Sequence, residues 1–218
     1  MHHFYEWLIR PYHDYDTYMI YLEIIAATTG VVSVYYSYKR NILVYIFGFI
    51  SSLIYVFLLY DWELFGDMLL NSYYLLANLF GFVIWAKHLE SESKIKVYIE
   101  YANKRKLKKA LYIFLITMIS TPFLYAHQKN LSVIELPTYS YVDSFVTAVS
   151  FAGVYLMIKR CIESWYLWAI ADIISIPLFL YKGYGITAIQ YTVFLVLVWL
   201  GWREWRAKLN VQSQECVI

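Results

Sequence analysis

The chain has 218 residues, of which 61% are hydrophobic, 21% aromatic and only 16% charged, and its net charge is +2. Soluble domains carry about 25% charged residues, so the composition excludes an ordinary soluble domain, and the small net charge does not indicate nucleic-acid binding. The two cysteines, Cys161 and Cys216, have no metal-site or disulfide spacing, and no cofactor is expected.

Seven long apolar segments are predicted to span a membrane as helices, because they lack the short alternating strands of a membrane barrel. They are 18–38, 42–60, 65–86, 110–126, 139–158, 164–181 and 184–203. The first 17 residues lack the apolar core of a signal peptide. The predicted fold class is therefore an all-α membrane protein with seven transmembrane helices.

The chain repeats itself at an offset of 120 residues. Glu23 corresponds to Asp143 and Gly81 to Gly201, whereas the middle of the repeat is read one residue out of phase. The first and fifth spans are four crossings apart, which predicts a parallel 3+1+3 bundle of two three-helix repeats and a linker helix. Carriers built in this way hold their ligand between the two copies.

The repeat and the charges predict five regions. Lys and Arg concentrate on the cytoplasmic side of membrane proteins, and all but Arg10, Lys129 and Lys182 of the 18 basic residues fall on the side of the C-terminus. The regions are an extracytoplasmic N-terminal segment (1–17), a first repeat (18–88), a basic cytoplasmic loop with the linker helix and the following outer loop (89–137), a second repeat (138–205) and a cytoplasmic tail (206–218).

Acidic residues inside spans cost about 2.5–3.5 kcal/mol on insertion scales, so each needs a reason. Glu23 and Asp143 lie near the outer ends of their spans, where helix capping or solvation at the interface is expected. Asp172 lies in the middle of the sixth span and is read as the only deeply placed acid. It is expected to contact either a ligand or a neighbouring helix.

Two helix faces carry neutral amides. Asn71, Tyr74 and Asn78 share one face of the third span, and Gln190 and Phe194 share one face of the seventh. Near-equivalent amides in the two repeats can bind a small polar ligand, or can hydrogen-bond between helices as amides in membranes commonly do.

Trp165 and Trp168 begin the sixth span and share a helix face. Such a pair can bind a flat cationic ring, with a contact worth about 0.5–2 kcal/mol, or can belong to the aromatic belt at the membrane surface. The belt is the expected place of the other tryptophans near helix ends, Trp85, Trp199, Trp202 and Trp205.

With these residues the chain resembles the PnuC family of vitamin transporters. The likeness covers roughly 20–205, and the second repeat carries most of it. It rests on the stretches 65–67, 143–150, 155–157, 176–183 and 201–205, on Trp165 and Trp168, and on Gly81 and Trp85.

The resemblance implies a bundle similar to the SWEET carriers, often a homotrimer, in the bacterial inner membrane. It implies uptake of an unphosphorylated vitamin by facilitated diffusion, best known for nicotinamide riboside, with trapping by a cytoplasmic kinase. Trp165, Trp168, Gln190 and Asn71 would contact the ligand. Typical members place Gln where this chain has Asn71, so the ligand can differ.

A cationic vitamin, either nicotinamide riboside or thiamine, suits the tryptophan pair with Asp172 better than neutral, larger riboflavin does. The predicted substrate-binding residues are Trp165, Trp168, Gln190, Asn71, Asp172, Tyr74 and Phe194. A seven-helix receptor or photoreceptor is disfavoured because the seventh span has no lysine for a Schiff base. An enzyme that uses Asp172 as an acid or base is not expected either, because all five histidines lie outside the spans and no metal-ligand cluster is present. The absence of a nucleotide-binding motif favours a uniporter.

Overall fold

The computed structural model describes residues 16–39, 41–90 and 99–215. Most of the predicted N-terminal segment and part of the basic loop lie outside these ranges. Within the ranges the chain forms α1 (Thr17–Lys39), α2 (Leu43–Asp61), α3 (Phe65–Glu90), α4 (Lys104–Lys129), α5 (Thr138–Ile158), α6 (Ser164–Lys182) and α7 (Gly185–Glu215), with a 3-10 turn at Val133–Glu135.

These bounds agree with the predicted spans to within a few residues at most ends. Two helices are longer than predicted: α4 begins at Lys104, the first residue of the basic run 104–109, and α7 continues to Glu215, beyond the predicted end of the second repeat. The predicted cytoplasmic tail is therefore helical over most of its length.

Over the residues that the structure describes in full, six of the helices are long and apolar enough to cross a membrane. The remaining helix, α3, carries Asp67, Asn71 and Asn78 among its apolar residues. A spanning helix tolerates such residues when they face the interior of a bundle.

The first copy (α1–α3) and the second copy (α5–α7) are each built from helices that pack on their neighbours in sequence. The copies meet where α1 packs against α7 and where α3 packs against α5, and α4 packs against α5 and α3. The first helix of each copy thus contacts the third helix of the other copy.

The turn between the second and third helices is the same in both copies. Glu63 and Gly183 adopt left-handed backbone conformations, with φ of 55° and 85°. The backbone N–H of Leu64 donates to Leu59 at 2.9 Å, and that of Tyr184 donates to Phe179 at 2.9 Å. The offset of 120 thus holds through the middle of the repeat, and the expected one-residue phase shift is wrong.

The two ends of the bundle are named by residues that lie there. At the Glu23 end, α1, α3, α5 and α7 begin, and an apolar cluster that includes Leu58, Leu64 and Phe179 fills the space between the copies. At the Trp165 end, a second cluster includes Ile162, Trp165 and Val198.

Candidate ligand-binding cavity

A cavity of about 330 Å³ lies between the two copies. Its described lining comes from α1–α3 and α5–α7, and most of the lining residues fall in pairs that are 120 positions apart. Examples are Gly48 with Trp168, Ser52 with Asp172, Leu59 with Phe179, Asp67 with Thr187, Asn71 with Tyr191, and Tyr74 with Phe194. Equivalent faces of the two copies therefore enclose the cavity.

All seven residues that the sequence singled out line this one cavity: Asn71, Tyr74, Trp165, Trp168, Asp172, Gln190 and Phe194. Three of them present polar atoms that have no hydrogen-bond partner among the described residues. These atoms are Trp165 Nε1, the Tyr74 hydroxyl and Asp172 Oδ2. A buried polar group without a partner costs free energy, so these groups are suited to a polar ligand.

Trp165 is held by a close approach of α7. A Cβ atom added to Gly201 would lie 2.3 Å from Trp165 Cη2, so only glycine leaves room for the indole. Trp205 also packs edge-on against this ring, with the centroids 5.4 Å apart. Trp205 was expected in the aromatic belt, but it supports Trp165 from the side.

The first copy repeats this packing with a different result. A Cβ atom on Gly81 would lie 2.3 Å from Tyr45 Cε1, so Tyr45 uses the same notch as Trp165. At the position equivalent to Trp168 the first copy has Gly48, over which the Asn78 amide lies, with Oδ1 2.6 Å from an added Cβ. The copies therefore line the cavity with an indole on one side and an amide on the other.

The cavity wall is acidic. Asp67 and Asp172 are 1% and 3% exposed, and no lysine or arginine is among the described residues that line the cavity. A mostly apolar cavity with carboxyl groups and indole faces favours a cation over an anion.

Asp172 is the acid in the middle of a helix, but it is not the only buried acid among the described residues. Glu23 and Asp143 are 0% exposed and Asp67 is 1% exposed. Sequence position suggested that Glu23 and Asp143 reach the interface, but each packs against the start of a helix in the other copy. Solvation at the membrane interface is therefore wrong for both residues. The alternative, helix capping, agrees with the structure, because each carboxylate contacts the start of a helix.

The two contacts are equivalent. Glu23 Oε1 accepts hydrogen bonds from the Thr187 backbone N–H at 3.0 Å and from the Thr187 hydroxyl at 2.7 Å. Asp143 lies against the start of α3, where its Oδ2 is 2.0 Å from an added Cβ on Gly66. That oxygen also accepts a hydrogen bond from the Tyr125 hydroxyl at 2.6 Å. A carboxylate is favourable at a helix start because of the exposed N–H groups there.

The Glu23 end is closed by further contacts. Trp62 stacks on Tyr184 with ring centroids 3.9 Å apart. The Lys182 ammonium donates to the Trp62 carbonyl at 3.3 Å and lies 4.2 Å from the centre of the Tyr139 ring. These contacts join the turn after α2 to the turn after α6.

Among the lining residues that sequence reasoning missed are the buried acid Asp67 and Tyr55. Asp67 was hidden because an acid in the first turn of a helix is usually a cap. Tyr55 was hidden because tyrosine is abundant in this chain, with 24 copies. The signal that could have found Asp67 is its place four residues before Asn71, on the same helix face.

Comparison with known proteins gives this geometry a family. Residues 20–207 match the family described as Nicotinamide mononucleotide transporter. The chain is 30% identical to the nicotinamide riboside transporter PnuC of Neisseria mucosa, over 72% of this chain and 59% of that protein. The chain belongs to the PnuC family of membrane transporters.

Other members and a solved structure agree. The chain is 21% identical to PnuC of Escherichia coli K12 over 85% of this chain and 84% of that protein. It is 19% identical to the riboflavin/roseoflavin transporter RibM of Streptomyces davaonensis, over 88% of this chain and 87% of that protein. A crystal structure of the vitamin B3 transporter PnuC superimposes with a TM-score of 0.67 at 27% identity, covering 87% of this chain and 82% of that one.

Membership of the PnuC family confirms the predicted resemblance, and the six apolar helices agree with a multi-pass membrane protein. The chain spans about three fifths of the Neisseria mucosa relative. The relatives are named for different vitamins, so the ligand of this chain has to be inferred from its own cavity.

Proposed function

We propose that the protein takes up a small cationic vitamin, with nicotinamide riboside as the first candidate. The observation that carries this proposal is the single cavity wall shared by Trp168, Trp165 and the unpartnered Asp172 carboxyl. An indole face attracts a pyridinium ring, and a carboxylate in a poorly hydrated site balances its charge. The names of the relatives from Neisseria mucosa and Escherichia coli support the same ligand.

Within this proposal each lining residue has a role. Trp165 and Trp168 stack against the ring, Asp172 is the counter-charge, and Tyr74 and Phe194 close the sides of the cavity. Gln190 and Asn71 hydrogen-bond the polar substituents of the ligand. Two copies in a parallel 3+1+3, SWEET-like bundle would rock about this site, with α4 as the linker.

In the proposed orientation the Glu23 end faces the outside of the cell and the C-terminus lies in the cytoplasm. This assignment rests on the bias of basic residues towards the Trp165 end, where the run 104–109 begins α4. Because the contacts of Glu23 and Asp143 close the outer end, release of the ligand would occur towards the cytoplasm.

Transport would be facilitated diffusion through a homotrimer, with a cytoplasmic kinase trapping the ligand. A uniporter in liposomes without a kinase should equilibrate its ligand and no more. Accumulation above the outside concentration in such liposomes would contradict this mechanism.

Thiamine is the alternative ligand, because its thiazolium ring is also a cation. Riboflavin, which the RibM relative is named for, is neutral and larger, and it makes less use of the Asp172 carboxyl. A cavity of about 330 Å³ also favours the smaller vitamins.

The deciding experiment is binding and uptake of radiolabelled nicotinamide riboside and thiamine, using purified protein and cells that lack their own carriers. Trp168→Ala should weaken binding by about tenfold, the value expected for loss of a dry cation–π contact. The matched control is Trp199→Ala, because Trp199 is 53% exposed on the lipid-facing side of α7. Equal effects of the two substitutions would contradict the proposed site, as would failure of both ligands to bind at millimolar concentration.

A further inference from the structure

Tyr55 determines which end of the Gln190 amide is free. Tyr55 is 6% exposed on α2, and its hydroxyl donates a hydrogen bond to Gln190 Oε1. The same hydroxyl lies 3.4 Å from the hydroxyl of Thr187, which Glu23 holds. The carbonyl of Gln190 is therefore used by the protein.

Within the part of the chain that the structure describes, the amide nitrogen of Gln190 remains available. It lies over Gly30, where an added Cβ would be only 2.4 Å from Nε2. Gln190 is 5% exposed and lines the cavity, so a nitrogen that donates there has the ligand as its natural acceptor. Gly30 thus leaves the space that this orientation needs.

In Asn71 the amide nitrogen, not the carbonyl, is bonded to the protein. Its Nδ2 donates to the backbone carbonyl of Asp67 at 2.9 Å, one turn earlier on α3. This leaves Oδ1 of Asn71 as the atom that can face a ligand. The two copies therefore line the cavity with one amide donor, from α7, and one amide acceptor, from α3.

We propose that the cavity recognises a ligand edge that carries a hydrogen-bond acceptor beside a donor, and that Tyr55 is the positioning residue for this selectivity. This inference rests on the proposed function, because it concerns the polar substituent of the same cationic ligand. A primary carboxamide has such an edge, and so does an aminopyrimidine.

The proposal also says what the cavity rejects. A carboxylate in place of the carboxamide has no N–H for Asn71 Oδ1 and would face that oxygen with a negative charge. A site that holds its polar groups in fixed orientations discriminates against such analogues more strongly than an apolar pocket does. Nicotinic acid riboside is therefore expected to bind at least about tenfold more weakly than nicotinamide riboside.

The test is the ratio of dissociation constants for these two ribosides, measured by tryptophan fluorescence on the purified full-length protein. In Tyr55→Phe the Gln190 amide loses its anchor and can rotate, so the ratio should fall by about tenfold. The charge of Asp172 acts in both proteins and cancels in this comparison. Tyr60→Phe, on the exposed end of the same helix, should leave the ratio unchanged.

A second pair of ligands tests whether the recognised edge is that of an aminopyrimidine or that of a carboxamide. Oxythiamine exchanges the amino donor and the ring acceptor of thiamine, so wild-type protein should prefer thiamine, and Tyr55→Phe should lose that preference. If carboxamide and carboxylate ribosides respond and the thiamine pair does not, the recognised edge is the carboxamide.

Gln190→Glu provides a variant that keeps an acceptor for Tyr55 but replaces the donor with a second acceptor. It should lower the preference for the carboxamide even if Tyr55→Phe fails to fold. An unchanged ratio in a folded Tyr55→Phe or Gln190→Glu protein would overturn the inference while leaving the proposed function intact. If wild-type protein binds none of the four ligands, both fail together.

Discussion

The carboxylate of Glu23 on α1 holds both the backbone N–H and the hydroxyl of Thr187 at the start of α7. Asp143 makes the equivalent contact at the start of α3, beside Gly66. Each copy therefore places one carboxylate on the third helix of the other copy. These two contacts connect the copies at the Glu23 end of the bundle.

Removing the Glu23 carboxylate should destabilise the fold. Glu23→Ala leaves the N–H and hydroxyl of Thr187 without their acceptor in a site that is fully buried, at a cost of about 2–4 kcal/mol. Thermal unfolding in detergent measures this effect. Glu23→Gln retains an acceptor oxygen and should lose less, and Asp61→Ala, at an exposed position of α2, should lose almost nothing. Equal losses for all three would show that the buried contact is unimportant.

Substitution of two equivalent glycines distinguishes an effect on ligand binding from an effect on packing. Gly201→Ala pushes its Cβ into the Trp165 ring, and Gly81→Ala does the same to Tyr45. Overpacking should cost each variant about 1–3 kcal/mol of stability. Ligand binding should weaken by about tenfold only in Gly201→Ala, because Trp165 lines the cavity and Tyr45 is not among the described residues that do. Titration of both variants with the ligand measures the difference, and weaker binding in Gly81→Ala alone would contradict it.

The ion pair of Glu63 should make a small contribution to stability that depends on pH. The hydrogen bond from Lys129 holds the pKa of the Glu63 carboxyl, in the turn after α2, below its usual range. A lowered folded-state pKa gives stability that is present above the unfolded value, about 4.3, and is lost as the pH falls through the folded value. Because Glu63 is 60% exposed, the contribution should be below about 1 kcal/mol.

Glu63→Gln supplies the measurement for this pair. Its unfolding midpoint should lie slightly below that of the wild type at neutral pH, and the two midpoints should converge at about pH 3. A difference that grows on acidification would mean that the sign is wrong.

The Cys161 thiol should be unreactive in the folded protein. It is 0% exposed between α5 and α6, and burial raises the pKa of the thiol. The thiolate is the reactive form, so maleimide labelling at neutral pH should be slow until denaturant is added. Labelling is best followed by mass spectrometry in a Cys216→Ser background. Rapid modification of the native protein would show that the turn after α5 opens readily.

Much of the cavity was predictable because helical periodicity puts residues three, four and seven apart on one face. Asn71 with Tyr74, Trp165 with Trp168, and Gln190 with Phe194 were grouped in this way, and all six line the cavity. Periodicity relates residues of one helix only, which is why it gave no information on Tyr55, whose importance comes from Gln190 on another helix.

The same limit explains the error over the buried acids. Distance along the helix from the predicted membrane surface made Glu23 and Asp143 look accessible to water. Their burial depends on which helix start lies opposite them, and no local pattern contains that information.

The sequence by itself determined the seven helices, the repeat and the family, because long apolar runs and a fixed offset are properties of the chain alone. Tertiary structure alone decided that Glu23 contacts Thr187 and that Tyr55 hydrogen-bonds Gln190. Each of these contacts joins residues far apart in the chain, so it exists only after the two copies have packed together, when buried polar groups must find their partners in each other.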